Sequence, residues 1–228
     1  MSTKSAFKKH RDSLQLGIYA VINPFVRLLI KMGVTPNMVT TIGLMGNLAA
    51  AVLFAVAGYR CASSGDMNYT LLTIGGGLII LFSLFDMLDG QVARLGGMVS
   101  KFGAMYDSVL DRYCELFTLS ALGYYMLCAG STLGALVAFL ALTGSIMVSY
   151  VRARAEGLGV ECKVGFMQRP ERVVVTSFTA LAAGITGEAS CHASEAPMII
   201  LISGMGLIAV FANLTAIARL VHCSRALK

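Results

Sequence analysis

Charge is scarce in this chain. Of its 228 residues only 13% are Asp, Glu, Lys or Arg, while 57% are hydrophobic, and the mean hydropathy is +0.76. A soluble globular protein carries about 25% charged residues, so a soluble domain is excluded and a multi-pass membrane protein is predicted. Histidine occurs three times, at His10, His192 and His222. None lies in the acidic segment described below, so a histidine-based mechanism is not supported. Six cysteines stand at 61, 114, 128, 162, 191 and 223 with no C-x2-C pair, which argues against a zinc or thioredoxin-like site. Cys61 and Cys191 both fall in loops expected outside the cytoplasm. A bridge between them fits the sequence, and two free thiols are the reading taken. The first dozen residues are polar and basic, with no short apolar core ending in small residues, so no cleavable signal peptide is expected. The net charge of +6 does not signal nucleic acid, because the arginines and lysines form no single patch.

What is abundant is apolar sequence. Six stretches predict spanning helices, roughly over 38–59, 70–94, 104–128, 132–153, 172–188 and 197–219, each near the length that crosses a bilayer. Residues 13–32 precede them. There Leu16, Ile18, Val21, Phe25 and Leu29 oppose Arg27 and Lys31, which predicts an amphipathic helix lying on the membrane surface. Asn23-Pro24 and the two basic residues argue against a seventh span. The expected organisation is an all-α polytopic protein. Residues 1–37 form a cytoplasmic N-terminus with the interfacial helix, and 38–228 form a six-helix membrane domain. With the N-terminus cytoplasmic, 17 of the 18 basic residues fall inside and only Arg60 outside, as the positive-inside rule requires. In a bacterial cell this is the inner membrane.

Against that apolar background stands one acidic segment, DMLDGQVARLGGMVSKFGAMYDSVLD, residues 86 to 111. Its pattern is D-x2-D-G-x2-A-R-x8-G-x3-D-x3-D, carried by Asp86, Asp89, Gly90, Ala93, Arg94, Gly103, Asp107 and Asp111. Four acids in an apolar segment are costly unless a cation neutralises them. Asp86 and Asp89 share one helix face, as do Asp107 and Asp111 on the next helix. The Gly96-Gly97 turn brings both helix ends to one membrane surface. Arg94 and Arg112 alone are too few to neutralise four carboxylates. Oxygen-only ligands suit Mg²⁺ or Mn²⁺, and one or two ions, with two expected, would be held by Asp86, Asp89, Asp107 and Asp111. Gly90 and Gly103 carry no side chain, which admits either a ligand or a packed helix to the backbone. Thr35 reads as a helix cap and Pro36 as a first-turn residue.

These eight positions resemble the signature of the CDP-alcohol phosphotransferases, integral membrane enzymes that join a CDP-activated lipid to an alcohol and release CMP. The resemblance implies that Gly90 and Arg94 meet the CDP group and that Ser100 belongs to the nucleotide site. The Thr35-Pro36-Asn37 sequence is common in the family. It implies that Asn37, Met38, Val39 and Thr40 line the CDP-lipid pocket. Asp111 is implied as the base that takes the acceptor's proton. The expected partners are CDP-diacylglycerol, the acceptor and membrane lipid, with no nucleic acid, in a homodimer.

The acceptor is read from the tract SYVRARAEGLGVECKVGFMQRPER. Arg152 and Arg154 close the fourth span, and Arg169 and Arg172 open the fifth. Positive-inside bias alone does not require four arginines around one short loop. An anionic acceptor would use them, since arginine forks onto phosphate. The tract also resembles the inositol-phosphate branch of the family, through Arg152, Arg154, Ala155, Glu156, Gly165, Phe166, Arg169, Pro170, Glu171 and Arg172. It implies inositol phosphate as acceptor. Glycerol 3-phosphate is the alternative within the family. A cation transporter with an intramembrane carboxylate cluster is the alternative from another class, but no internal repeat supports it. The orientation has a direct check. In a protein cleared of native cysteines, Ser64→Cys should react with an impermeant thiol reagent on intact cells, and a cysteine placed near the C-terminus should not.

Overall fold

The computed structural model describes residues 22–190 and 194–227. Among these residues it is entirely helical. A helix covering 22–31, here α1, precedes six long ones: α2 (Pro36–Ser64), α3 (Tyr69–Leu95), α4 (Lys101–Cys128), α5 (Thr132–Gly157), α6 (Arg169–Ala189) and α7 (Ala196–Ala226). Every stretch expected to be a span is a helix. Four of them, α2, α3, α5 and α7, are long and apolar enough to cross a membrane, so this is a membrane protein. α4 and α6 carry more polar residues, among them Glu115, Thr118 and Arg172. Leu16, Ile18, Val21, Cys191 and His192 of the sequence reading lie outside the described residues.

The chain divides into two compact units. The first draws on Met1–Gly43 and Leu84–Leu110, the second on Leu44–Ser83 and Asp111–Lys228. In the first unit, Val26 of α1 is fully buried with Val39, Leu88 and Val92, and Ile22, Leu29 and Ile30 pack beside it. The packed face of α1 therefore runs through Val26. Phe25, expected on the apolar face, is half exposed, as are Leu28 and Met32. The 22/26/29 spacing makes the inner face, and the 25/28/32 spacing makes a second apolar line pointing outward.

Two turns in this unit end their helices alike. Gly33 after α1 and Gly97 after α3 have positive φ, 77° and 64°. Val34 N–H reaches Leu29 O at 3.0 Å, and Met98 N–H reaches Ala93 O at 2.9 Å. These six-to-one bonds around a left-handed residue satisfy the last carbonyls of each helix. α4 then starts on Ser100, whose hydroxyl accepts from Gly103 N–H at 2.9 Å. Between them the two caps confine the α3–α4 reversal to five residues, 96–100.

The second unit has a main core and a smaller cluster of Ala155, Cys162 and Cys223. The main core includes Phe54 of α2, Leu72 of α3, Leu122 and Met126 of α4, Ala141 and Val148 of α5, Ala180 and Ala183 of α6, and Met205 and Ile208 of α7. Small residues let the helices close up, as expected where lipid replaces water as the surroundings. A methyl on Gly76 would lie 2.7 Å from the Leu181 amide nitrogen, and one on Gly184 would lie 2.5 Å from that of Thr73. α3 and α6 thus meet backbone to backbone. The 158–168 loop is held along α7 by three side chains on one stripe. Thr215 Oγ1 accepts from Met167 N–H at 3.2 Å, Arg219 Nε donates to Val164 O at 2.9 Å, and His222 Nε2 reaches Glu161 O at 3.2 Å. Arg219 also donates to Val148 O at 2.7 Å, tying in α5. Cys61 is a free thiol set against the Cys128 carbonyl.

A buried ion pair ties α4 to α6. Arg172 Nε and Nη2 fork onto Glu115 at 2.7 and 3.0 Å, and Nη1 donates to Met167 O at 3.1 Å. Arg172 is 2% exposed and Glu115 5%. Removing one partner strands the other charge in an apolar interior, which costs about 3–5 kcal/mol. Glu115→Ala should therefore lower the unfolding midpoint in detergent sharply. Replacing both residues by Met should cost less than Glu115→Ala alone.

Candidate active site

The site is built where α3 ends and α4 begins. Asp86 and Asp89 sit three residues apart near the end of α3, and Asp107 sits in the second turn of α4. The tight reversal between the helices sets these turns side by side. Each aspartate offers one carboxylate oxygen, and the three oxygens lie within 4.8 Å of one another. Asp89 is buried, and the other two are half-buried. Two oxygens bound to one Mg²⁺ at about 2.1 Å lie at most about 4.2 Å apart. The cluster is thus within a small side-chain rotation of that span, and its donors are hard oxygens only. The residues fit a divalent cation such as Mg²⁺ or Mn²⁺.

A cavity of about 610 Å³ opens beside the cluster. Asp89 and Asp107 form part of its wall with Gly90, Arg94, Ser100, Gly103, Asn37 and Thr40. The motif glycines face into it. A methyl on Gly90 would meet the Arg94 guanidinium first, 3.4 Å away, and one on Gly103 would meet Ser100 Oγ at 3.0 Å and Asn37 Oδ1 at 3.4 Å. Neither glycine is pressed against another helix backbone. Of the two readings open for Gly90 and Gly103, ligand access is the one the packing favours. The N-terminus of α2 closes one side of the cavity. Thr35 and Pro36 line it too, and Thr35 Oγ1 accepts from Met38 N–H at 3.4 Å. Helix N-terminal amides and a guanidinium on one cavity wall suit a phosphate-bearing ligand.

Several expected residues stand elsewhere. Val39 is 2% exposed and belongs to the core with Val26, Leu88 and Val92. Met38 is half exposed and does not line the cavity. Asp111 follows Asp107 by one turn of α4 but is not in the three-oxygen cluster. Its Oδ1 lies 2.6 Å from Arg169 Nη2, and its Oδ2 lies 3.6 Å from Arg112 Nη1. Of the four arginines of the basic tract, Arg172 is committed to Glu115. Arg169 pairs with Asp111, and Arg152 pairs with Glu156 at 2.9 Å. Arg154 is exposed.

Sequence reasoning did not find Glu115, although a signal existed. Asp107, Asp111 and Glu115 continue one four-residue spacing along α4. It also did not find Tyr106, whose hydroxyl meets Thr41 at 3.0 Å. That contact joins residues 65 positions apart, and nothing in local spacing signals it.

A family model described as CDP-alcohol phosphatidyltransferase matches residues 33–221. The phosphatidylinositol phosphate synthase of Mycobacteroides abscessus is 32% identical over 165 residues, covering 72% of this chain and 70% of the relative. A crystal structure of the Mycobacterium tuberculosis phosphatidylinositol phosphate synthase with CDP-DAG bound superposes with a TM-score of 0.75 at 29% identity, covering 90% of this chain and 94% of that one. A second structure of that enzyme, in complex with manganese and citrate, superposes at 0.72 with 30% identity, covering 88% and 87%. This chain belongs to the CDP-alcohol phosphatidyltransferase family, and it is a phosphatidyltransferase.

The cavity geometry leads to a prediction. Gly90→Val keeps the helix but pushes two methyl groups toward Arg94 and the cavity. Overpacking of this kind costs about 1–3 kcal/mol, or roughly 5- to 150-fold in affinity. Binding of a CDP nucleotide, followed by calorimetry on the purified variant, should weaken by that amount while the unfolding midpoint stays within a few degrees of wild type.

Proposed function

We propose that this protein transfers the phosphatidyl group of CDP-diacylglycerol to a hydroxyl of an inositol phosphate, releasing CMP. The observation that carries the reading is the convergence of Asp86, Asp89 and Asp107 on a cavity walled by Gly90, Arg94 and Gly103. The names of the relatives support the acceptor class, and the arginines around the 158–168 loop are consistent with an anionic acceptor. Asp86, Asp89 and Asp107, with Asp111 joining them, would hold Mg²⁺ or Mn²⁺, two ions in all. When bound, such ions stabilise the charge that builds on the departing CMP. Arg94 and the N-terminus of α2 take the diphosphate, and Asn37, Thr40 and Ser100 line its pocket.

Asp111 is the base. Its partner Arg169 belongs to the basic tract, so the two substrates' requirements meet at this pair. The acceptor's phosphate draws Arg169 onto itself, and the released carboxylate takes the proton of the attacking hydroxyl. A carboxylate is a weak base, so placement within hydrogen-bond reach matters more than its basicity. Arg152 and Arg154 complete the anion site. Arg172 is assigned a different role from the one expected of it. With its donors spent on Glu115 and Met167, it anchors the first turn of α6 and so places Arg169, three residues earlier.

Six helices, α2 to α7, cross the inner membrane in this reading. α4 and α6 fall short in apolarity because they carry residues of the site and of the buried pair. Both termini and the site face the cytoplasm, and α1 lies at the interface with Phe25, Leu28 and Met32 toward lipid.

The test is CMP release by purified protein with CDP-diacylglycerol and Mg²⁺, offered inositol phosphate, glycerol 3-phosphate, serine and free inositol separately. Inositol phosphate should be the preferred acceptor. A preference for glycerol 3-phosphate would make the product phosphatidylglycerophosphate. EDTA should abolish turnover reversibly, and Asp89→Asn and Asp107→Asn should abolish it without unfolding. Arg154→Ala should raise the acceptor KM by about 10- to 150-fold, the worth of one charge-assisted bond, and leave the CDP-lipid KM unchanged.

A further inference from the structure

Two consecutive threonines of α2 touch the two helices that carry the carboxylates. Thr40 is 6% exposed. Its Oγ1 lies 2.8 Å from Asp89 Oδ2 and 3.1 Å from Pro36 O. A hydroxyl has one proton to give, and the shorter contact to a charged oxygen takes it. Thr41 Oγ1 lies 2.7 Å from Asn37 O and 3.0 Å from the Tyr106 hydroxyl. The carbonyl can only accept, so the threonine proton goes to Asn37 and Tyr106 donates to Thr41. Tyr106 directly precedes Asp107, and its ring stacks on Phe102 with centroids 5.8 Å apart. Neighbouring residues on a helix diverge by about 100°. Positions 40 and 41 can therefore serve two different partners, one on α3 and one on α4.

We propose that Thr40 and Thr41 are positioning residues for the metal-binding carboxylates. Thr40 holds the Asp89 carboxylate in one rotation, and Thr41 holds α4 through Tyr106 so that Asp107 meets the α3 pair. With Thr40 on Asp89 Oδ2, the Asp89 carboxylate still offers an oxygen within 4.8 Å of those of Asp86 and Asp107. Partners of this kind orient a ligand and raise its affinity for metal, and their loss typically weakens binding 10- to 100-fold. The arrangement also couples the two substrate requirements. The turn of α2 that walls the nucleotide cavity is the turn that sets the carboxylates, so a displacement of α2 disturbs both. The proposal rests on the divalent-cation reading of Asp86, Asp89 and Asp107.

The experiment measures Mn²⁺ affinity by electron paramagnetic resonance on purified protein in detergent, with no CDP-lipid present. Any direct contact of Thr40 with a nucleotide then contributes nothing. Thr40→Val should weaken Mn²⁺ binding about 10- to 100-fold, and Thr40→Ser, which keeps the hydroxyl, should restore it to near wild type. Should Thr40→Val fail to fold, Thr40→Ala adds no bulk and carries the same test. Tyr106→Phe removes the bond to Thr41 alone and should weaken binding by roughly 2- to 13-fold, and Thr41→Val, which removes that bond and the one to Asn37 O, should weaken it by at least as much. Because they remove the same bond, the double variant should be no weaker than the worse single. Wild-type affinity in Thr40→Val or Thr40→Ala would overturn the Thr40 brace. Wild-type affinity in Tyr106→Phe, or additive losses in the double variant, would overturn the Thr41–Tyr106 half. A wild-type protein that binds no Mn²⁺ would overturn the cation reading itself, and with it the brace.

Discussion

A carboxylate inside an apolar helix bundle has to be answered by positive charge, and most of what is distinctive here follows from how each acid is answered. Glu115 is answered permanently, by a forked and buried Arg172. Asp111 is answered by Arg169 and Arg112, which are partly accessible to solvent. Asp86, Asp89 and Asp107 gather their oxygens into one small space, an arrangement that fits a divalent cation. Along α4 the acids thus run from the buried pair at Glu115, through the partly accessible pair at Asp111, to Asp107 of the oxygen cluster. Along α4 burial follows the same order, with Glu115 and Asp111 buried and Asp107 half-buried, and the cost of an unmatched charge rises as water is withdrawn.

That arrangement works only if the helix ends are held. Glycines with positive φ close α1 and α3, Ser100 opens α4, and Thr35 with Pro36 opens α2. Each cap satisfies backbone groups that would otherwise need water. The result is a rim of short turns around the cavity. In the second unit the long 158–168 loop is fixed differently, by side chains of α7 bonding its backbone at three points. A loop held this way presents its flanking arginines from a defined place.

The acids and Arg94 of the eight-position motif were legible in sequence because charge is costly in an apolar segment. Helix extents were legible for a similar reason: apolar runs of spanning length have few other readings. Ligand access at Gly90 and Gly103 was not separable from packing until the neighbours of each Cβ position were known. Phe25 and Leu29 were read on one apolar face of α1, and only the fold separates them, with Leu29 packed beside Val26 and Phe25 half exposed.

Sequence by itself determined the membrane setting, the eight motif positions and the basic tract, since each is a matter of residue type and local spacing. Tertiary structure decided who pairs with whom. Spacing places Asp111 and Arg172 on their helices but cannot say that one meets Arg169 and the other Glu115. The Thr40–Asp89 and Thr41–Tyr106 contacts join residues 49 and 65 positions apart. Such contacts depend on which helix faces meet, and a helix face is silent about its neighbour until the chain has packed.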